Sequence, residues 1–456
     1  MYVRSPNGFH ARIASPLTSA DERVRLRMTT AADAGVSSPP ASVSAIGMVR
    51  RLGPGLITGA ADDDPSGIAT YSQVGAQFGY GLAWTMLFSL PFMVVIQEIS
   101  ARIGCVTGRG IAANLRRHYP SWLVRSVVAL LLVANVVNLG ADLGAMGAAL
   151  TLLLGGNPRL YTVGFGILCV VAEIFIPYAA YAGLLKWLTL SLFAYVAVVF
   201  SVHVPWDEAL LATFVPHLRF DAVHATALVA VLGTTISPYL FFWQSALEVE
   251  DRNRRSARPL SRTPWEAGPQ FARIRTDTVL GMGVSNAIAI FIIFATAATL
   301  HANGITDIQT SAQAAEALRP IAGVFTFALF GFGIIGTGLL AVPVLAGSAA
   351  YALTETFRWS GGLDRRLMQA KAFYATLSVA TLAGVALNFT ALDPVRALYW
   401  AAVVNGILAA PVMATLMLVA SNGRIMGRLS LSTPMRVGGW LATAIMVVAS
   451  VGFFVL

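Results

Sequence analysis

The chain has 456 residues, 56% hydrophobic and only 12% charged, with mean hydropathy +0.70 and a formal net charge of +9. Soluble domains average about 25% charged residues, so this composition excludes a soluble enzyme and points to a polytopic membrane protein. The positive charge is almost all arginine and sits in loops, so it does not imply nucleic acid.

Residues 1–45 hold Arg, Ser, Ala and Pro without a continuous apolar core. They lack the apolar stretch of a secretory signal and are expected to form a disordered cytoplasmic tail. A transit peptide is the weaker alternative, because Asp21 and Glu22 interrupt the basic run. Apolar windows of about 20 residues then predict eleven spans, at 53–77, 80–103, 121–148, 161–177, 181–203, 222–247, 276–301, 321–353, 367–389, 392–419 and 436–456.

The first and sixth spans are interrupted by polar residues and proline. The first break is Ala61-Asp62-Asp63-Asp64-Pro65-Ser66-Gly67; the second is Gly233-Thr234-Thr235-Ile236-Ser237-Pro238-Tyr239. Ions and unpaired backbone groups in hydrocarbon cost several kcal/mol each. Broken helices at membrane depth persist where they line a cavity, and in transporters that cavity is the ion site. From Gly53 to Asp63 the helix reaches roughly 16 Å, about half the bilayer. Asp64 is therefore expected near the midplane as its one side-chain anion. Pro65 and Gly67 end the half-helix there. Its free carbonyls and the Asp64 carboxylate make a hard, anionic cage for a cation. In the sixth span Pro238 is expected to free the carbonyl at or near Thr234, while Ser237 adds a hydroxyl. A proline-kinked packing helix is the competing reading at either break.

Two units, spans 1–5 and 6–10, thus each open with a broken helix. A five-span repeat must be inverted, as in many secondary transporters. The core is expected over 46–420, as units at about 50–205 and 220–420, with 421–456 an extra C-terminal helix. One set of loops carries Arg50, Arg51, Arg109, Arg116, Arg117, Arg252, Arg254, Arg255, Arg258, Arg262, Arg358, Arg365, Arg366, Arg424 and Arg428. The alternate loops carry only Arg159, Arg219, Arg319 and Arg396. The positive-inside rule places the N-terminus in the cytoplasm and, with eleven spans, the C-terminus outside.

At these residues a family resemblance becomes visible. Gly53-Pro54-Gly55, the Asp64-Pro65 break, Gln97 to Gly104 with Thr107-Gly108, and Thr235 to Pro238 followed by Ser245-Ala246-Leu247 resemble the Nramp family over about residues 50–420. The resemblance implies an all-α divalent-metal transporter of the leucine-transporter fold. Its metal site would combine an Asp-Pro-Gly-Asn break with an Ala-x-x-Met-Pro-His break. Carried over residue by residue, the metal site falls on Asp64, Gly67, Thr234 and Ser237. Gly67 stands where the family has its ligand Asn, Ser237 where it has its ligand Met, Thr234 for the Ala, and Tyr239 for the His. In Ala141-Asp142-Leu143-Gly144-Ala145, Asp142 is kept, and Ala145 replaces the proton-relay Glu.

These departures have a direction. Thioether sulfur favours transition metals, whereas Mg²⁺ demands oxygen and keeps several waters. The form resembles the Nramp-related magnesium transporter branch, which carries Mg²⁺ and also Mn²⁺. Without the His and Glu, metal is expected to enter without obligatory proton symport; a potential of 100 mV supplies about 4.6 kcal/mol for a divalent ion. An ordinary proton-coupled Mn²⁺/Fe²⁺ symporter is the alternative, and an organic-solute carrier is disfavoured by the acidic break.

Asp63, Tyr239, Asp142 and Asn405 are candidates for a supporting or pathway role, although an interhelical hydrogen bond is the plainer reading of Asn405. Asp62 and Asp63 either line an aqueous vestibule or only solvate the half-helix end. Asn286 and Glu355 suit packing or capping, and Glu98 lies where an inner gate could form. Cys105 and Cys169 fit neither a disulfide framework nor a metal spacing. His203 and His217 give no metal spacing. No hydrolase cluster, nucleophile elbow or phosphate loop is present, so neither an enzyme nor a cofactor is expected. The expected partners are divalent metal ions and the lipid bilayer. The expected state is a monomer in a bacterial inner membrane.

Overall fold

The computed structural model describes residues 54–176, 188–389 and 393–456, all within one compact unit. The expected tail over 1–45 and the opening of the fifth span lie outside the described residues, as do residue 53 of the first span, residue 177 of the fourth and residue 392 of the tenth. The described elements are helices: α1 Pro54–Asp62, α2 Pro65–Phe78, α3 Trp84–Thr107, α4 Ile111–His118, α5 Ser121–Leu154, α6 Pro158–Phe175, α7 Phe193–Ser201 and α8 Trp206–Phe214. They continue with α9 Ala222–Thr235, α10 Pro238–Arg254, α11 Ala267–Thr299, α12 Ser311–Glu316, α13 Thr326–Phe357, α14 Lys371–Leu387, α15 Pro394–Ala420 and α16 Thr433–Val455.

Among the described residues, 8 helical segments are long and apolar enough to cross a membrane. The broken pair α1 and α2, the short α7 and the 17-residue α14 occupy the other expected spans. Several starts share one device: a capping side chain, then proline at the first helical position, where its missing N–H costs no hydrogen bond. Asp64, Asn157 and Asp393 cap α2, α6 and α15 in this way.

Packing places both breaks at the centre. Helices α1 and α2 lie against α11, α9 lies against α15, and α10 against α3. The crossings are close enough to exclude side chains. A Cβ on Gly59 would stand 2.4 Å from the backbone of Gly281, and one on Gly233 would stand 2.1 Å from the Ala402 carbonyl. In lipid no hydrophobic force drives helices together, so small residues that admit such close backbone packing carry the association.

The expected boundaries shift in one informative place. Helix α11 begins at Ala267 rather than near residue 276. Its polar first turns bear Arg273 and Asp277, which hydropathy alone discounts, yet both lock onto neighbouring helices. Cys105 and Cys169 are buried and unpaired. The Cys105 thiol donates to Glu248 Oε2 at 3.1 Å.

Candidate functional site

Between α1 and α2 the chain leaves the helix. Asp64 is extended, with φ −72° and ψ 169°, as expected of a residue before proline. Its carboxylate caps α2: Oδ1 accepts from Ser66 Oγ at 2.6 Å and from the Gly67 amide at 2.7 Å. Oδ2 accepts from the Tyr239 hydroxyl at 3.0 Å, across to the second break. One carboxylate thus ties both gaps together.

At the second break α9 stops at Thr235 and α10 restarts at Pro238, with Ser237 extended between them. Pro238 has no N–H to give the Thr234 carbonyl. The Ser237 hydroxyl takes that place, donating to Thr234 O at 2.8 Å and Gly233 O at 3.0 Å. It has one proton for two acceptors, so the Thr234 oxygen keeps lone-pair capacity. Gly67 completes the group, since its Cβ would stand 3.2 Å from Thr234 Oγ1. That hydroxyl makes no hydrogen bond among the described residues. Asp64 and Gly67 from one break and Thr234 and Ser237 from the other are therefore brought together from two distant stretches of sequence, all buried. Every polar atom they offer is oxygen or backbone amide.

Two expectations need correction. Asp64 is not alone: Asp142 on α5, fully buried, lies within electrostatic range of Asp64 and of the Ser66 amide. Neither Asp142 carboxylate oxygen has a hydrogen-bond partner among the described residues. Sequence order hid this because α5 crosses behind the first break. Nor do Asp62 and Asp63 line an open vestibule or merely solvate a helix end. They are 1% and 4% exposed, and Ser285 Oγ on α11 lies 2.9 Å from a carboxylate oxygen of each. One hydroxyl proton cannot serve both acids. No ion pair reaches Asp62, Asp63, Asp64 or Asp142 among the described residues. Buried acids without a basic partner repel one another and attract a cation.

The other expected residues take plainer places. Asn405 accepts from Asn138 Nδ2 at 2.8 Å, an interhelical bond between α15 and α5. Glu355 accepts from the Ala113 amide at 3.0 Å and caps α4, while Asn286 reaches Met93 Sδ at 3.9 Å. Glu98 pairs with Arg102 at 2.6 Å, and Gln97 donates to Leu240 O at 3.1 Å. His203 and His217 line a cavity of about 850 Å³ together with His224 and His301. Among the described residues no three His, Cys, Asp or Glu are placed to hold a metal ion together. Any ion at the breaks would therefore draw on neutral oxygens as well as carboxylates.

Sequence reasoning missed the partner face of α1. Asp277, Gly281 and Ser285 recur every four residues along α11. Asp277 Oδ2 accepts from the Gly55 amide at 2.8 Å, Gly281 meets Gly59, and Ser285 meets Asp62 and Asp63. Thr58 Oγ1 donates to Gln244 Oε1 at 2.5 Å, Gln244 reaches Glu248 at 3.3 Å, and Glu248 pairs with Arg273 at 2.5 Å. The four-residue period of small and polar residues in α11 was the available signal.

Comparison with known proteins follows the same lines. Residues 55–456 match the family profile Nramp, natural resistance-associated macrophage protein-like. The chain is 28% identical over 411 residues to the divalent metal cation transporter MntH of Klebsiella pneumoniae (strain 342), covering 87% of this chain and 91% of that protein. Its fold resembles the Eremococcus coleocola manganese transporter, with TM-score 0.70, 15% identity, and coverage of 92% of this chain and 89% of that one. It also resembles Mhp1, a nucleobase-cation-symport-1 family transporter, with TM-score 0.52, 17% identity, and coverage of 87% of this chain and 92% of that one. The all-α, leucine-transporter-type architecture that the family resemblance implied is the architecture of these neighbours.

Proposed function

The chain belongs to the Nramp family, and we propose that it carries divalent metal cations, Mg²⁺ and also Mn²⁺, through the gap between its two broken helices without obligatory proton symport. The observation that carries this reading is the donor set. The Ser237 hydroxyl lies on the Thr234 carbonyl and the Asp64 carboxylate is tied to the same break through Tyr239, so the two breaks offer oxygen donors with no sulfur and no imidazole among them. Hard oxygen donors suit Mg²⁺ and Mn²⁺. Asp142, with no hydrogen bond of its own, adds charge that a dication would offset.

Tyr239 supports the uncoupled reading. Its hydroxyl donates to Asp64, and a phenol has an ordinary pKa near 10, so it does not shuttle protons at neutral pH as an imidazole does. The apolar Ala145 on α5 offers no relay either. A proton-coupled Mn²⁺ symporter of ordinary type has one observation in its favour, Asp142 beside Asp64 with no hydrogen-bond partner among the described residues, since an intramembrane carboxyl can carry a proton. The protein is further proposed to act as a monomer in a bacterial inner membrane, with its N-terminus cytoplasmic and its C-terminus outside.

Purified protein in liposomes, with a metal-sensitive and a pH-sensitive dye inside, tests both readings. Mg²⁺ should enter and compete with Mn²⁺ while the lumen stays near its starting pH. Lumenal acidification that tracks Mn²⁺ entry, with no inhibition by excess Mg²⁺, would establish the symporter instead.

A further inference from the structure

A second cavity, distinct from both breaks, runs along the membrane-facing side of α3, α9 and α16. It has a volume of about 700 Å³. Its floor is one stripe of α9, Ala225, Leu228 and Leu232, and small residues of α16, Ala449 and Gly452, deepen the far wall. All three helices belong to segments apolar and long enough to cross a membrane. Hydrocarbon chains, not water, are therefore what surrounds this groove. On α16 it extends from Leu441 to Leu456, roughly 22 Å of helix, against a leaflet of about 15 Å in a hydrocarbon core of about 30 Å.

One end of the groove is charged. Arg219 lines both this apolar groove and the polar cavity that holds the histidines. It makes no ion pair or hydrogen bond among the described residues. The Trp84 indole nitrogen, on the same groove, also has no hydrogen-bond partner among them. A free guanidinium where hydrocarbon meets water suits a phosphate, which it can engage with two parallel charge-assisted hydrogen bonds. We infer that this groove is a phospholipid-binding site, with one acyl chain laid along α9 and α16 and the phosphate held by Arg219. Leu232, at its deep end, is two residues before Thr234. The lipid would therefore brace the half-helix that supplies the second break.

The test is native mass spectrometry of the delipidated full chain titrated with phosphatidylglycerol, and with diacylglycerol as the phosphate-free probe. A Cβ on Gly452 meets nothing within 4 Å, and the same holds for Gly164 on α6, which lies outside the groove. Gly452→Phe therefore starts from an unhindered Cβ on the groove wall and places its ring where the acyl chain would lie, and Gly164→Phe is the matched control. Wild type and Gly164→Phe should retain phosphatidylglycerol, while Gly452→Phe loses it. Arg219→Ala should weaken phosphatidylglycerol binding by about tenfold and leave diacylglycerol binding unchanged. This arm stands even if Gly452→Phe fails to fold. Equal retention by both phenylalanine variants, equal affinity of Arg219→Ala and wild type for phosphatidylglycerol, or no phospholipid retained by wild type would each overturn the assignment.

Discussion

The two halves of the first span are held in opposite ways. Helix α1 is gripped along its length: Gly55 by Asp277, Thr58 by Gln244, and Gly59 by direct backbone contact with Gly281. Helix α2 is capped at its start by Asp64, but further along, its residues Ala69, Gln73 and Gln77 line an open cavity of about 490 Å³. Across that cavity the Arg396 guanidinium forms an exposed ion pair with Asp307 at 3.7 Å. The site is thus sealed on the α1 side by buried polar bonds. On the α2 side lies an open cavity whose charged residues, Asp307 and Arg396, are exposed. If the carrier proposed above opens its site to each side in turn, it has to break the first set and close the second.

The largest effect should come from the residue common to both halves. Asp64→Ala removes the cap of α2 and the acceptor for Tyr239 together. Metal uptake should fall to background at equal membrane expression; wild-type uptake by this variant would remove Asp64 from the site. Next comes the seal on α1. Losing a buried hydrogen bond to a charged group costs about 1.5–3 kcal/mol. Asp277→Ala should therefore move the population toward an open α1 side by roughly tenfold to hundredfold. Thiol labelling of a cysteine placed at Ala61, buried on α1 and outside these polar contacts, reads this directly, and an unchanged labelling rate would show that the bond to Gly55 holds nothing shut.

A subtler prediction concerns the facing pair Gly67 and Thr234. A Cβ at Gly67 would be 3.2 Å from Thr234 Oγ1, tighter than ordinary contact. Gly67→Asn alone should lower uptake, and adding Thr234→Ala should recover it. A double variant no better than the single one would mean that the two residues do not share a wall. Ser237→Met should raise transport of the soft ion Cd²⁺ relative to Mg²⁺, and an unaltered ratio would place that side chain away from the ion. The smallest effect belongs to the open side. Arg396→Ala breaks an ion pair whose side chains are 56% and 59% exposed. Such pairs contribute about 0–1 kcal/mol, so uptake should change by less than about fivefold.

These contrasts also mark what sequence patterning could reach. The breaks were legible because proline, glycine and carboxylates inside apolar runs have few tolerated explanations in lipid. The four residues named from them, Asp64, Gly67, Thr234 and Ser237, do meet. Asp142 was visible as a polar residue in an apolar span, but its approach to Asp64 is a property of how α5 crosses the centre. The acids beside Asp64 were misplaced for a similar reason. Asp62 and Asp63 look like a solvated helix end until Ser285 is brought against them by α11. That pairing depends on glycine contacts at Gly59 and Gly281, which hydropathy does not weigh. The start of α11 was missed because its ionic turns were read as loop.

The central claim is that a doubly charged cation sits between the two breaks on oxygen donors. Diffraction from Mn²⁺-soaked crystals, recorded with the metal's anomalous signal, tests it most directly. The account predicts one strong peak within about 2–2.5 Å of the Asp64 carboxylate and the Thr234 carbonyl. A peak confined to the cavity lined by His203, His217, His224 and His301, with the gap between the breaks empty, would contradict it.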